Sequence, residues 1–218
     1  MPGALSIGAT FSAFRTAGSH TGKPDMSDTD RSRWNQRYRE GSYRSRTHPT
    51  PLLEQWLPEL PRGRALDVAC GTGRNTLYLA GKGYTVDAVD ISMEALARAR
   101  GKPGADNPCI RWIEADLDEF APPASRYDLM VVARFVSRLL LPGLPGALKP
   151  GGALLYEHHI ISDEPVAGPR DTAFRLAPGE LRSSFHALDI RFYREGLVRD
   201  PDGRIMALAQ MIAFRAGP

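Results

Sequence analysis

The chain has almost no cysteine, only Cys70 and Cys109 among 218 residues. Two cysteines cannot build a disulfide framework or a four-thiolate zinc site. Long hydrophobic runs are absent as well: no stretch of about 18 uncharged apolar residues occurs, which argues against a helical membrane span. Nor does charge of one sign prevail. The 28 Lys and Arg residues stand against 25 Asp and Glu, for a formal net charge of +3, and the arginines are scattered rather than gathered in a tract. The electrostatic case for a nucleic-acid partner is therefore weak. With an apolar fraction of 42%, the sequence reads as one sizeable globular core in a reducing, cytoplasmic setting.

Residues 1–27 lack a helical or strand period and are rich in Gly, Ser, Thr and Ala. They have no basic start followed by an apolar stretch, as a signal peptide would, and are expected to be a flexible segment. Residues 28–218 are expected to form one domain, with 28–60 as a helical arm or lid. In the arm, Trp34 and Tyr38 stand four apart, as do Arg33 and Arg37, while Leu52, Leu53, Trp56 and Leu57 form a second apolar face. The Trp34 and Tyr38 pair reads as packing rather than as an aromatic cage. The stretch Thr-His-Pro-Thr-Pro at 47–51 divides the two helical pieces.

From residue 64 onward, short apolar runs alternate with helix-length gaps. The runs are "RALDVAC", "TVDAVD", "IRWIEAD", "YDLMVVAR" and "GALLYEHHI", and each of the four gaps between them is long enough for a helix. That alternation predicts a parallel sheet. One helix should begin near Gly73 and stop at the Gly81–Gly83 turn. The next has Ser92 as N-cap, Glu94 in its first turn, Arg98 and Arg100 in its last, and Gly101 beyond. Farther on, "LAPGELRSSF" predicts a short helix, and two apolar runs flank the turn "RDPDGR" as a hairpin. The expected fold is α/β: a Rossmann-like, doubly wound, mostly parallel seven-stranded sheet with an antiparallel C-terminal hairpin and an N-terminal helical arm.

In such a sheet, ligands lie beyond the carboxyl ends of the strands where the strand order reverses. The loop "ACGTGRN" and Asp90 should face that crevice together. Gly71 and Gly73 allow unusual backbone angles and a close approach to a ligand, and Asp90 can accept from the two hydroxyls of a ribose. A dinucleotide fingerprint would need a third glycine where Thr76 stands. Asp67, four residues before Gly71, disfavours a pyrophosphate and suits a cation such as the ammonium and sulfonium groups of S-adenosylmethionine.

The stretches "LDVACGTGRN", "VDAVDIS", "IEADLDEF" and "LKPGG", in this order and spacing, resemble the successive motifs of class I S-adenosylmethionine-dependent methyltransferases. The stretches "RWNQRYREG" and "FRLAPGELRSSF" further resemble the tellurite-resistance and thiopurine-methyltransferase-like branch. By that resemblance Asp67, Ala69, Gly71 and Gly73 would line the methionine end of the cofactor, with Asn75 near it and Arg37 on its carboxylate. Asp90 would hold the ribose, and Ile91 would pack on adenine. Asp116 would accept from the adenine amino group, and Leu117 would donate its backbone N–H to the ring. Arg134 would line both the cofactor and the acceptor pockets.

Beside the cofactor, the sequence offers few reacting groups. Cys70 reads as a small buried residue, because no activating base lies near it in sequence. Adjacent residues of an extended chain point opposite ways, so at most one of His158 and His159 should face the pocket, with one packed and one exposed as the plain alternative. That geometry also argues against a metal site. Arg134 and Arg138 stand four apart where a helix could begin. His158, His159 and Arg134 are the candidates for a role in catalysis. The implied activity is methyl transfer from S-adenosylmethionine to a small-molecule acceptor such as a thiol or a chalcogen oxyanion. A non-catalytic S-adenosylmethionine sensor and a nucleotide-dependent oxidoreductase are the alternatives.

Overall fold

The computed structural model describes residues 26–41 and 46–217. The expectation of a flexible start falls almost wholly outside these residues. Helix α1 (Met26–Arg39) leads, followed by α2 (Pro51–Trp56) and a 3-10 turn, Leu57–Glu59. Prolines 49 and 51 separate the helices, and Pro51 starts α2 at a position where its missing N–H costs nothing.

Seven strands follow: β1 (Arg64–Val68), β2 (Thr85–Asp90), β3 (Ile110–Glu114), β4 (Tyr127–Ala133), β5 (Leu148–His159), β6 (Asp189–Arg199) and β7 (Ile205–Phe214). Helices α3 (Arg74–Gly81), α4 (Met93–Arg100), α5 (Leu144–Ala147) and α6 (Glu180–Ser184) are interleaved with them. The sheet order is β3-β2-β1-β4-β5-β7-β6. The first five strands pair in parallel and the last hairpin antiparallel. Strand order reverses between β1 and β4, which opens the crevice beyond the end of β1.

Neighbouring residues along the central strands bury opposite faces. Leu66, Met130, Val132 and Leu154 pack with Leu141, Leu144, Leu181 and Phe185 on one side. Ala65, Val131 and Leu155 pack with Leu52, Leu53, Leu79 and Tyr84 on the other. Two faces buried by parallel strands explain why these runs are apolar throughout instead of alternating.

The gaps depart from the sequence expectation in two places. Residues 115–126, between β3 and β4, form turns and no helix; "APPAS" supplies two prolines that remove backbone donors there. No helix begins at Arg134 either. The chain there runs as a bend and turns until the 3-10 turn Leu141–Gly143 and the single-turn α5, with Pro142 and Pro145 punctuating it.

Candidate functional site

Strand β1 feeds a tight loop in which Ala69, Gly71 and Gly73 have φ of 53°, 55° and 75°. This left-handed backbone turns the chain from strand to helix, and the N–H of Gly73 donates to the carbonyl of Cys70 at 2.9 Å. Both glycines also face a close neighbour. A Cβ on Gly71 would lie 2.9 Å from the Tyr38 hydroxyl, and one on Gly73 would lie 2.6 Å from the Trp112 ring. The loop is thus held between the N-terminal arm and Trp112 of β3.

Asp90 closes the loop from the end of β2. Its Oδ2 accepts from the Gly71 N–H at 2.7 Å, and its Oδ1 accepts from the Ser92 N–H at 2.9 Å. Each oxygen keeps lone-pair capacity for a ligand hydroxyl. Burial pushes this carboxyl up to about 6, against the pull of the backbone N–H groups. Asp67, at the inner face of β1, accepts from the Thr76 hydroxyl at 2.6 Å. Burial raises it also to about 6, with Thr76 and Arg74 working the other way. Thr76 therefore fills the place of a third glycine with a hydroxyl committed to Asp67.

The adenine end is assembled where β2 and β3 finish side by side. The N–H of Ala115 donates to the carbonyl of Asp90 at 3.1 Å, which brings Asp116 next to Asp90 and the half-buried Ile91. Asp116 Oδ1 accepts from the Asp118 N–H at 2.9 Å, whereas its Oδ2 is buried with no partner. Leu117 is buried in the core below.

Other candidates have different immediate partners. Asn75 is buried, and its Oδ1 accepts from the N–H of Thr50, the N-cap of α2, at 2.9 Å. It ties the arm to the loop. The Arg37 guanidinium lies 5.2 Å from the centre of the Trp34 ring, while its neighbour Tyr38 reaches Gly71. Cys70 is buried, and its thiol is pushed well above the ordinary value by burial and then by Asp90 and Asp67. A nucleophilic thiolate is disfavoured there.

Arg134 caps β4 with φ of 65°. Its side chain is 7% exposed, with Nη2 3.0 Å from Glu157 Oε1 and 3.9 Å from Asp200 Oδ1. Arg138, by contrast, is exposed and pairs with Glu180 at 2.8 Å, so the two arginines do not act together. His158 and His159 correct the expectation of one packed and one exposed ring, because both are buried. Their rings meet edge to face, with centres 5.7 Å apart, so the alternation of an extended strand does not separate them. His158 Nε2 lies 3.0 Å from the Phe174 carbonyl. Burial lowers His158 to about 4 and His159 to about 2, so both are neutral near pH 7 and poor proton acceptors.

Several site residues escaped sequence reasoning. Asn35 Oδ1 accepts from the Ser92 hydroxyl at 2.8 Å and the Glu94 N–H at 3.2 Å, docking α1 on the start of α4; Arg39 adds a 3.0 Å pair with Glu94. Behind Arg134, Gln210 donates to Glu157 and in turn accepts from Arg194 Nη2 at 2.5 Å. Such partners lie 16 to 59 residues apart in sequence, where no local period can reveal them. The polar letters Glu157 and Gln210 inside two apolar strands were the one available signal.

Residues 65–152 match the model of the methyltransferase domain family. YqeM of Bacillus subtilis (strain 168), whose methyltransferase assignment is itself provisional, is 33% identical over 119 residues, covering 50% of this chain and 47% of that protein. Trans-aconitate 2-methyltransferase of Rhizobium meliloti (strain 1021) is 30% identical over 132 residues, covering 56% and 48%. The chain thus spans about half the length of the curated relatives it matches. Among solved structures, TehB from Haemophilus influenzae superposes with a TM-score of 0.66 at 24% identity, over 83% of this chain and 67% of that one, a likeness of fold. Over residues 65–152, from β1 to the start of β5, the chain is similar to the methyltransferase domain family.

Proposed function

We propose that this protein transfers the methyl group of S-adenosylmethionine to a small-molecule acceptor. The observation that carries the reading is Asp90: a buried carboxylate at the end of β2, clamped to the Gly71 N–H at 2.7 Å, beside a crevice at the reversal of strand order. The ribose hydroxyls would donate to Asp90, and the methionine end would lie along Ala69, Gly71 and Gly73 with Asp67 behind. Adenine would rest against Ile91, its amino group donating to Asp116 Oδ2. Arg37, Asn75 and Leu117 complete the proposed cofactor surround, and Arg134 lies on the acceptor side of it. Two features speak against a nicotinamide dinucleotide. Thr76 replaces the third glycine, and Asp67 would repel a pyrophosphate.

The sulfonium donor is already activated, so the protein's task is alignment and exclusion of water. In the transfer, a lone pair of the acceptor forms the new bond to the methyl carbon, and the carbon–sulfur pair returns to a neutral thioether. An acceptor that is already anionic loses no proton. That suits a site whose two histidines are neutral and weakly basic. Thiolates and reduced chalcogen oxyanions are acceptors of this kind, and the resemblance to the tellurite-resistance and thiopurine branch supports testing them. Trans-aconitate, named in one relative, belongs in the same screen.

Calorimetric titration with S-adenosylmethionine, S-adenosylhomocysteine and NADH tests the reading. Both adenosyl ligands should bind, and Asp90→Ala should abolish the binding. Uptake of NADH alone would overturn the proposal.

A further inference from the structure

The end of β4 carries a cation whose donors are not used. Arg134 Nε and Nη1 are both buried without a hydrogen-bond partner. The 3.0 Å approach of Nη2 to Glu157 balances charge but leaves those two donors unpaired. Buried guanidinium donors are ordinarily satisfied, and such an exception marks a place for a water, an ion or a ligand. The left-handed backbone of Arg134, uncommon for a residue with a side chain, is a second sign of a position held for use.

The surroundings hold the guanidinium in place. Glu157 is fixed by Gln210, and Gln210 by Arg194 of β6. Asp200, at the end of the hairpin, faces Arg134 and is paired with Arg46. Arg74, at the start of α3, acts on both Asp67 and Arg134. Arg134 and Arg46 thus stand against two fully buried carboxylates, Glu157 and Asp200. At the rim, Asp202 lies 3.4 Å from Arg204 and 3.8 Å from Arg46. With Asp67 counted against Arg74, the three arginines and three carboxylates balance, and it is the two unused Arg134 donors that a ligand would meet.

Resting on the methyltransferase reading, we propose that Arg134 is the anchor for a carboxylate of the methyl acceptor, and that this protein's acceptors are small carboxylate-bearing molecules. A guanidinium offers planar, charge-assisted donors that match a carboxylate. A phosphate, carrying close to two charges, would meet Glu157 and Asp200 at short range. The cofactor's own carboxylate is the less suitable guest, because Arg74 is the cation acting on Asp67, whereas Arg134 faces Glu157 and Asp200. Glu157 and Gln210 are positioning residues, setting the direction of the guanidinium without touching the acceptor.

The test is calorimetry on the full chain saturated with S-adenosylhomocysteine, using malonate and benzoate against malonamide and benzamide. At least one carboxylate should bind about tenfold or more tighter than its amide, as expected for one charge-assisted contact. Arg134→Gln should erase that preference while leaving S-adenosylhomocysteine affinity within about threefold. Arg134→Gln combined with Glu157→Gln removes both charges together, and it serves if the single variant does not fold. Three results overturn the proposal: no carboxylate preferred over its amide, a preference that survives the substitution, or loss of S-adenosylhomocysteine but not 5′-methylthioadenosine affinity on substitution. The last would place the cofactor's carboxylate on Arg134. If the unaltered protein takes up no S-adenosylhomocysteine, the parent reading fails separately, and the same carboxylate titration of the free protein decides the Arg134 site.

Discussion

Asp90 and Asp67 show how burial changes what an ordinary aspartate does. A ribose donates to the ionised form, and a carboxylate at about 6 is only about one-tenth ionised at pH 5. S-adenosylhomocysteine affinity should therefore weaken by roughly tenfold from pH 7 to pH 5, and calorimetry at the two values checks it. Asp90→Ala removes the dependence along with two charge-assisted hydrogen bonds, a loss of about 3–6 kcal/mol or at least 100-fold in affinity. Stability should respond to pH with two opposed signs. Between about 4 and 6, Asp67 and Asp90 hold protons in the folded chain that the unfolded chain has lost, so their contribution falls as pH rises. His158 and His159, lowered to about 4 and about 2, stay neutral in the folded chain while the unfolded chain binds protons below about 6.5, so their contribution is lost as pH falls. Two protons against two leave these four groups nearly level. His159→Asn removes one histidine and should tilt the variant relative to the parent by about 1.4 kcal/mol per pH unit toward greater stability at low pH. Urea unfolding of both at pH 4.5 and 5.5 reads that difference; parallel pH profiles would show that His159 titrates alike in both states. The sequence marked all four residues but not their proton affinities, because burial arises from loops and helices distant in the chain.

At the scale of elements, the glycine loop and its two neighbours behave as one unit. Gly73 has φ of 75° and Trp112 2.6 Å from where a Cβ would stand. Gly73→Ala should then cost the left-handed backbone, about 1 kcal/mol, plus displacement of an indole ring, for about 2–3 kcal/mol in all. Chemical denaturation measures it, and a variant within about 0.5 kcal/mol of the parent would mean that Trp112 gives way freely. The arm is latched by a cap. Asn35 accepts from Ser92 and Glu94 at the start of α4, so Asn35→Ala should cost about 1 kcal/mol and hasten proteolysis within α1. Unchanged cleavage would show that Tyr38 and Arg39 hold the arm without it. These helices were legible because their signals are local: Ser92 accepts from the Ala95 N–H at 3.1 Å as an N-cap, and α3 ends at Gly81. The gap at 115–126 was misread because its length fits a helix, while Pro122 and Pro123 forbid one. The docking of α1 on α4 was invisible, since nothing near Asn35 in sequence announces a partner 57 residues away.

For the whole molecule, topology follows from alternation. Apolar runs too short for helices, separated by connections that can cross over, leave a parallel sheet as the economical solution, and Asp202-Gly203 marks the antiparallel return. Sequence spacing could not show how deeply that return is embedded. β7 lies between β5 and β6, and Met206, Leu208, Met211 and Ile212 are wholly buried. At about 2 kcal/mol for each such side chain, the strand contributes roughly 8 kcal/mol, comparable with the whole stability of a typical domain. Glu157 and Gln210 join across the same seam, so the hairpin also supports the Arg134 end of the site. A chain ended at residue 187 should therefore aggregate or lack a cooperative transition, with no near-ultraviolet circular dichroism and no uptake of S-adenosylhomocysteine. Leu197→Ser, on the exposed face of β6 at 55% exposure, should change stability by less than about 0.5 kcal/mol, which separates loss of the strand from general sensitivity of the hairpin. A truncated chain that unfolds cooperatively and still binds the ligand would mean that β1–β5 form a sufficient core, leaving the hairpin to serve the acceptor side alone.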